Sequence, residues 1–116
     1  MTDYKRGDVV LVNFVFSDES GVKRRPALVV STDRYQKRRQ EAIVAAITSN
    51  VERLLLGDHR VRDWRQAGLL YPSVVTGVLR TVKRDMINRS LGSLSASDLR
   101  AVEGRLRDVL ELPAVS

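Results

Sequence analysis

Two short stretches carry side chains able to act on an anion. Residues 23 to 31 read KRRPALVVS, crowding Lys23, Arg24 and Arg25 before a proline and an apolar run, and residues 47 to 50 read ITSN at the end of another apolar run. Adjacent like charges repel one another, so something is gained by placing three cations there. A guanidinium donates two parallel hydrogen bonds and keeps its charge at any relevant pH, which suits a phosphate. The hydroxyls of Thr48 and Ser49 and the amide of Asn50 can donate to phosphate oxygens. The two stretches converge if their strands are neighbours. Periodicity alone favours a plainer reading, in which Arg24 and Arg25 are solvated strand-end charges and Thr48 is an ordinary strand terminator.

Other chemistries lack their residues. The chain has no HExxH, CxxC, Walker-type loop or GxGxxG, so zinc hydrolysis and nucleotide-fold chemistry are without their usual signatures. The absence of cysteine removes disulfides, thiol nucleophiles and cysteine zinc sites, and agrees with a cytoplasmic setting. His59 is the single histidine, in the loop-like context GDHR, and reads as a solvated loop residue. The carboxylates Asp8, Asp18, Glu19 and Asp33 fall in turns, with no spacing that marks a catalytic pair. No metal and no cofactor are expected.

Twenty Lys and Arg against fourteen Asp and Glu give a net charge of +6, which favours an anionic partner such as nucleic acid, an acidic protein or a membrane surface. The N-terminal MTDYKRGD has no apolar signal core, and no later stretch is long enough to span a bilayer. Two Phe, three Tyr and one Trp are too few for an open base-stacking platform. Tyr35 and Trp64 are the candidates for ring contacts, although Trp64 reads better as a core anchor.

The elements that must position these residues follow from pattern. A chain of 116 residues suits a single domain over 1–116. VVLVNFVF (9–16) is a β-branched and aromatic strand, SDESG (17–21) is turn material, and PALVVS continues as a second strand, making a hairpin. Pro26 belongs at a strand's first position or on an edge, and biases Arg25 toward an extended backbone. DRYQKRRQE (33–41) is a charged connector with a helical turn, AIVAAIT (42–48) a third strand, and RVRDWRQ (60–66) a short strand turning at Gly68. SVVTGVLRTV (73–82) is one strand or two, with Gly77 as a bulge. Ser95-x-x-Asp98 starts the clearest helix, with Leu99, Val102, Leu106, Val109 and Leu110 on one face and Pro113 as its stop. Several strands without β-α-β alternation indicate an α+β, mostly β, antiparallel domain.

Taken in order, KRGDVVLVNF, KRRPALVVS, AIVAAITSN, PSVV, LRTV and a helix after LGSLS closely resemble the MazF/PemK toxins of type II toxin–antitoxin systems, from about Lys5 to Leu112. The resemblance implies a twisted antiparallel sheet like an SH3-like barrel, with short helices and a C-terminal helix. It implies a homodimer and a metal-independent, sequence-specific endoribonuclease. Single-stranded RNA is cut by 2′-hydroxyl attack, leaving a 2′,3′-cyclic phosphate and a 5′-hydroxyl. The family's catalytic arginine and threonine fall on Arg25 and Thr48. Lys23, Arg24, Ser49, Asn50 and Arg80 are then expected to contact RNA. A cognate acidic antitoxin is expected as a partner, with DNA touched only through that antitoxin. Where many relatives carry an acidic residue and Gln, or Arg and Lys, this chain has Thr76-Gly77-Val78, and Arg80 is the nearby cation able to compensate.

Two other readings stay open at this stage. A catalytically weak or inactive protein on the same fold would bind RNA or antitoxin without cutting; the related gyrase poisons need an aromatic C-terminal end, whereas this chain ends LPAVS. A DNA-binding regulator is disfavoured, because no helix-turn-helix signature precedes the apolar-striped C-terminal helix.

Overall fold

The computed structural model of the chain describes residues 3–16 and 21–113. In order it contains β1 (Asp8–Phe16), β2 (Gly21–Val29), α1 (Asp33–Arg39), β3 (Glu41–Thr48), β4 (His59–Arg60), β5 (Val74–Lys83), a 3-10 turn at Arg84–Met86, β6 (Ile87–Ser93) and α2 (Ala96–Leu110). The strands form one antiparallel six-stranded sheet in the order β4-β5-β3-β2-β1-β6. The expected mostly-β antiparallel architecture with a C-terminal helix is the observed one. The turn expected at 17–21 lies, apart from Gly21, outside the described residues.

The centre of the sheet is covered on both faces. The neighbours Val9 and Val10 point to opposite faces and each is 0% exposed. Val9, Leu28, Ala45, Ile47 and Val75 form one core, against which α2 lays Val102, Leu99 and Leu106. Val10, Val12, Phe14, Ala27, Val29, Val44 and Val82 form a second core, enclosed by the curl of the sheet with Tyr4 and Met86 at its margin. Burial on both sides explains why β1 reads as an almost unbroken apolar run instead of an alternating one.

Three elements differ from expectation. The charged connector is a seven-residue helix, capped by Thr32, whose hydroxyl accepts from Tyr35 N at 3.2 Å. The strand expected over 60–66 is confined to His59–Arg60, with turns beyond it. Residues 87–93 form a strand that the polar string INRSLGS does not announce; it pairs with β1 across two irregularities of register. Along 74–83 there is one strand. Its bulge sets Thr76, Gly77 and Val78 opposite the single residue Ala46.

The start of α2 is tied to the segment after β4 by one carboxylate. Asp98, 1% exposed, accepts from Arg62 N at 3.0 Å, Asp63 N at 2.9 Å and Ser95 Oγ at 3.2 Å, and lies 2.8 Å from His59 Nε2. His59 is thus a partner of a buried carboxylate, not a solvated loop residue. Burial by itself pushes the Asp98 carboxyl up, but the bonds from Arg62 N, His59, Asp63 N and Ser95 outweigh it and hold the group below its ordinary value. Asp98→Ala should cost about 3 kcal/mol, since it orphans several buried donors. A carboxylate with a lowered folded-state pKa stabilises fully above the unfolded value of about 3.9 and loses that contribution as pH falls through the folded value. Denaturant titrations should therefore show wild type losing stability below pH 4 more steeply than Asp98→Asn. Parallel curves would exclude this role.

Candidate functional site

β2 and β3 pair only from Ala27↔Ala46 to Val29↔Val44. Carrying the same register two residues further sets Arg25 opposite Thr48, where the ladder has ended and the strands part. Pro26 stands where the pairing stops, a position that a residue without an N–H tolerates. Pro26 is neither at the start of its strand nor on an edge strand, since it lies inside β2 between β3 and β1, but it stands just past the last β2–β3 pair. Below this parting is a cleft of about 850 Å³ lined by Arg25, Pro26, Ile47, Thr48 and Ser49, by Leu11 of β1, by Arg89 and Leu91 of β6, and by the wall segment Gly68 to Tyr71 with Ser73. No carboxylate and no imidazole is among these lining residues.

The sequence candidates divide. Arg25, Thr48 and Ser49 meet in the cleft. Lys23, Arg24, Asn50 and Arg80 do not line it. Arg24 donates from Nε to Asn13 Oδ1 at 3.2 Å, across the β1–β2 pair. Asn50 shapes the turn after β3, accepting from Glu52 N at 3.3 Å while its own N–H donates to Thr48 Oγ1 at 3.1 Å. That second bond fixes the Thr48 hydroxyl as an acceptor from the backbone and leaves its hydrogen to be donated outward. The Arg80 guanidinium lies over the Phe14 ring, 4.9 Å from its centre, at the second core. Arg80 is thus turned to Phe14 and is not among the residues lining the cleft. Thr76, Gly77 and Val78 are also outside the cleft: Thr76 Oγ1 donates to Ala46 O at 2.8 Å, filling the carbonyl that the bulge leaves opposite, and Gly77 N donates to Asp58 Oδ1 at 3.2 Å.

Neither aromatic candidate reaches the cleft. Tyr35 is on α1 beneath Arg39, and Trp64 packs on the first core, as expected of an anchor, with Arg65 over its ring at 4.8 Å. Arg89 and Tyr71 line the cleft although sequence reasoning did not single them out. Arg89 is hidden because β6 is not announced, and Tyr71 because its neighbours carry no periodic signal. The wall that holds Tyr71 rests on a backbone-to-backbone approach. Gly68, at φ +84°, abuts Leu91 of β6, and a Cβ built on it lies 2.1 Å from Leu91 O; Gly92 abuts Ala67 in the same way. A second hollow, of about 620 Å³, lies at the other end of β3 between Tyr4, Arg39, Glu41, Lys83, Arg84 and Asp85. It is of mixed sign, with Arg39 Nε 3.0 Å from Glu41 Oε1, and so is a poorer seat for an anion.

A family model described as the PemK-like, MazF-like toxin of type II toxin–antitoxin systems matches residues 5–110. Endoribonuclease EndoA of Bacillus subtilis (strain 168) is 30% identical over 112 residues, covering 93% of this chain and 95% of that protein. Among solved structures, a MazE–MazF crystal structure from Deinococcus radiodurans contains a chain matching with a TM-score of 0.81 at 20% identity, over 97% of this chain and 100% of that one. Mycobacterium tuberculosis toxin MazF-mt6 matches with a TM-score of 0.76 at 24% identity, over 92% and 99%. The two structural likenesses speak for the fold.

The cleft wall makes its own prediction. Gly68→Ala adds a methyl group against Leu91 O at a positive φ, and should destabilise the chain by about 2 kcal/mol in thermal or denaturant melts. Gly104→Ala in mid-α2, where nothing lies within 4 Å of the added carbon, should instead stabilise by up to about 1 kcal/mol. Equal effects at the two positions would refute the close approach as the wall's support.

Proposed function

The chain belongs to the PemK-like, MazF-like toxins of type II toxin–antitoxin systems, and on that premise we propose that it is an endoribonuclease that cuts single-stranded messenger RNA at specific sequences without a metal ion. The observation that carries this reading is the meeting of Arg25 and Thr48 at the parted ends of β2 and β3, in a cleft lined by cations and hydroxyls but by no carboxylate. Such a lining attracts a phosphate and repels a divalent cation.

In the proposed step the ribose 2′-oxygen attacks the adjacent phosphorus, forming the O2′–P bond as the P–O5′ bond breaks. The products are a 2′,3′-cyclic phosphate and a 5′-hydroxyl end. Water takes the proton of the 2′-hydroxyl and supplies one to the departing 5′-oxygen. Negative charge gathers on the non-bridging oxygens, where Arg25 donates two parallel bonds and Thr48 one. Electrostatic stabilisation suits Arg25 better than proton donation, because a guanidinium does not give up its proton in the working range of pH. Lys23 and Arg24, on the exposed half of β2, and Asn50, in the turn below Thr48, extend the cationic and polar surface along the incoming strand.

The partners follow from the same surfaces. An acidic antitoxin segment lying in the cationic cleft would cover Arg25, and DNA would be reached only through that antitoxin. The exposed Leu54, Leu55, Leu56, Val78 and Leu110 offer a second copy of the chain an apolar face, so the working form is a homodimer. The setting is the cytoplasm.

Purified chain incubated with long single-stranded RNA in EDTA should yield discrete fragments with 5′-hydroxyl ends. Arg25→Ala should lower kcat roughly 100- to 1000-fold, the usual cost of removing an oxyanion donor. Thr48→Ala should lower it about tenfold, as for one lost hydrogen bond. Both residues lie at the ends of the β2–β3 pairing, so melting temperatures should stay near wild type. Intact RNA from wild type across varied sequences would favour the non-cutting binder instead.

A further inference from the structure

We infer that Arg89 and Tyr71 form a second nucleotide subsite in the cleft, Arg89 holding the phosphate next to the scissile one and Tyr71 stacking the base between them. The inference rests on the reading of Arg25 and Thr48 as the seat of the scissile phosphate. Arg89 lies directly opposite Leu11 on β1, and Leu11 lies directly opposite Pro26 on β2. Directly opposed side chains share a face, so Pro26, Leu11 and Arg89 form a row across three strands, and all three line the cleft. Two strand spacings, about 10 Å, separate Pro26 from Arg89. Arg25, one residue on, starts from the opposite face by strand alternation, and it is the shared lining of the cleft that brings the two cations together, across a span that a short stretch of single-stranded RNA backbone covers.

Charge supports the same assignment. Arg89 is exposed and, among the described residues, its side chain has no ion pair or hydrogen bond. By contrast Arg6, Arg39 and Arg84 each sit within 3.3 Å of a carboxylate oxygen. A guanidinium left unpaired in a cleft that already holds Arg25 and no acid is placed for an anion with more than one phosphate.

The wall completes the subsite. Leu70 is 82% and Tyr71 64% exposed, although both are large and apolar, and both line the cleft. A ring open to solvent in a cleft that also holds two guanidiniums is an arrangement that takes a base by stacking while the cations take its phosphates. Tyr71 is held by its own backbone, whose carbonyl accepts from Ser73 Oγ at 2.7 Å.

The test is the salt dependence of binding. The probe is a single-stranded RNA in which every ribose is 2′-O-methylated, which lacks the attacking hydroxyl and stays intact. For wild type, log K falls linearly with log salt concentration. Arg89→Ala should reduce that slope by about 0.7, the share of one phosphate on a single strand, and weaken binding about tenfold at low salt. Arg89→Lys should restore the slope. Tyr71→Ala should weaken binding roughly tenfold with the slope unchanged, the mark of stacking. An unchanged slope in Arg89→Ala, with or without lost affinity, overturns the phosphate assignment. Unchanged affinity in Tyr71→Ala overturns the stacking assignment. Cleavage of unmodified RNA by Arg25→Ala, measured alongside, tests the underlying reading separately: full activity there would displace the scissile seat, whereas its loss together with an unaltered Arg89→Ala slope would sink the second subsite alone.

Discussion

The parting of β2 from β3 is the constraint on which the rest of the molecule depends. Three residue pairs hold these strands together, and beyond them the register continues without a ladder. Arg25 and Thr48 become the two lips of an opening instead of one more cross-strand pair inside a sheet. Had the ladder run on, backbone bonds would have closed the gap and no cleft would lie between them. The row of Lys23, Arg24 and Arg25 lies entirely on the half of β2 that β3 does not cover. Exposure makes that row affordable: two like charges about 4 Å apart in water repel by about 1 kcal/mol, and less at physiological salt. Against a folding stability of about 5–15 kcal/mol this is a small strain, and a bound polyanion reverses its sign.

An opening needs a far wall, and that wall is fixed by two devices of different kinds. Sterically, Gly68 and Gly92 let the 67–68 turn press backbone to backbone on β6. Electrostatically, Asp98 gathers Arg62 N, Asp63 N and His59 at the foot of α2, so that the segment entering the wall is pinned before it reaches Gly68. The hydrophobic packing of α2 through Val102, Leu99 and Leu106 then transmits the stability of the first core to the cleft. A wall tied in this way holds its shape without depending on a ligand.

How much of this was legible in the sequence depended on whether burial leaves a pattern. β1, β3 and the Ala27–Val29 end of β2 are covered on both faces, so their apolar runs announced them. The helix α2 carried a cap and a stripe, and both were used. β6 was missed because its outward residues are polar and two register irregularities break its alternation; with it went Arg89. Arg25 and Thr48 could be named as candidates from type and position, but their meeting rests on a register that no single strand encodes. Asp98 looked like a cap and is one, since Asp98 N donates to Ser95 Oγ at 3.2 Å; its larger role depends on residues more than thirty positions away. Arg80 was the opposite case, a cation close in sequence that the curl of the sheet carries to Phe14.

The stretch Thr76-Gly77-Val78, where the chain departs from the family pattern, has a structural role of its own away from the cleft. The bulge turns these residues toward the 54–58 loop and the end of α2, where Gly77 lies against Gly57 and Val109. Its one polar side chain is consumed by the Ala46 carbonyl. Larger polar residues at Gly77 would meet backbone, so this loop and the bulge suit each other as they are. Whatever lies in the cleft must then be distinguished by the remaining surfaces that face it. The β1, β2 and β3 positions are bound by two cores, which leaves the wall from Gly68 to Ser73 and the open face of β6. A wall of this kind can change its side chains without disturbing the sheet, as surface connections generally do. In the proposed reading, seating a phosphate and choosing a base thus fall to different parts of the chain, the first to strands and the second to a segment that follows the turn pinned by Asp98.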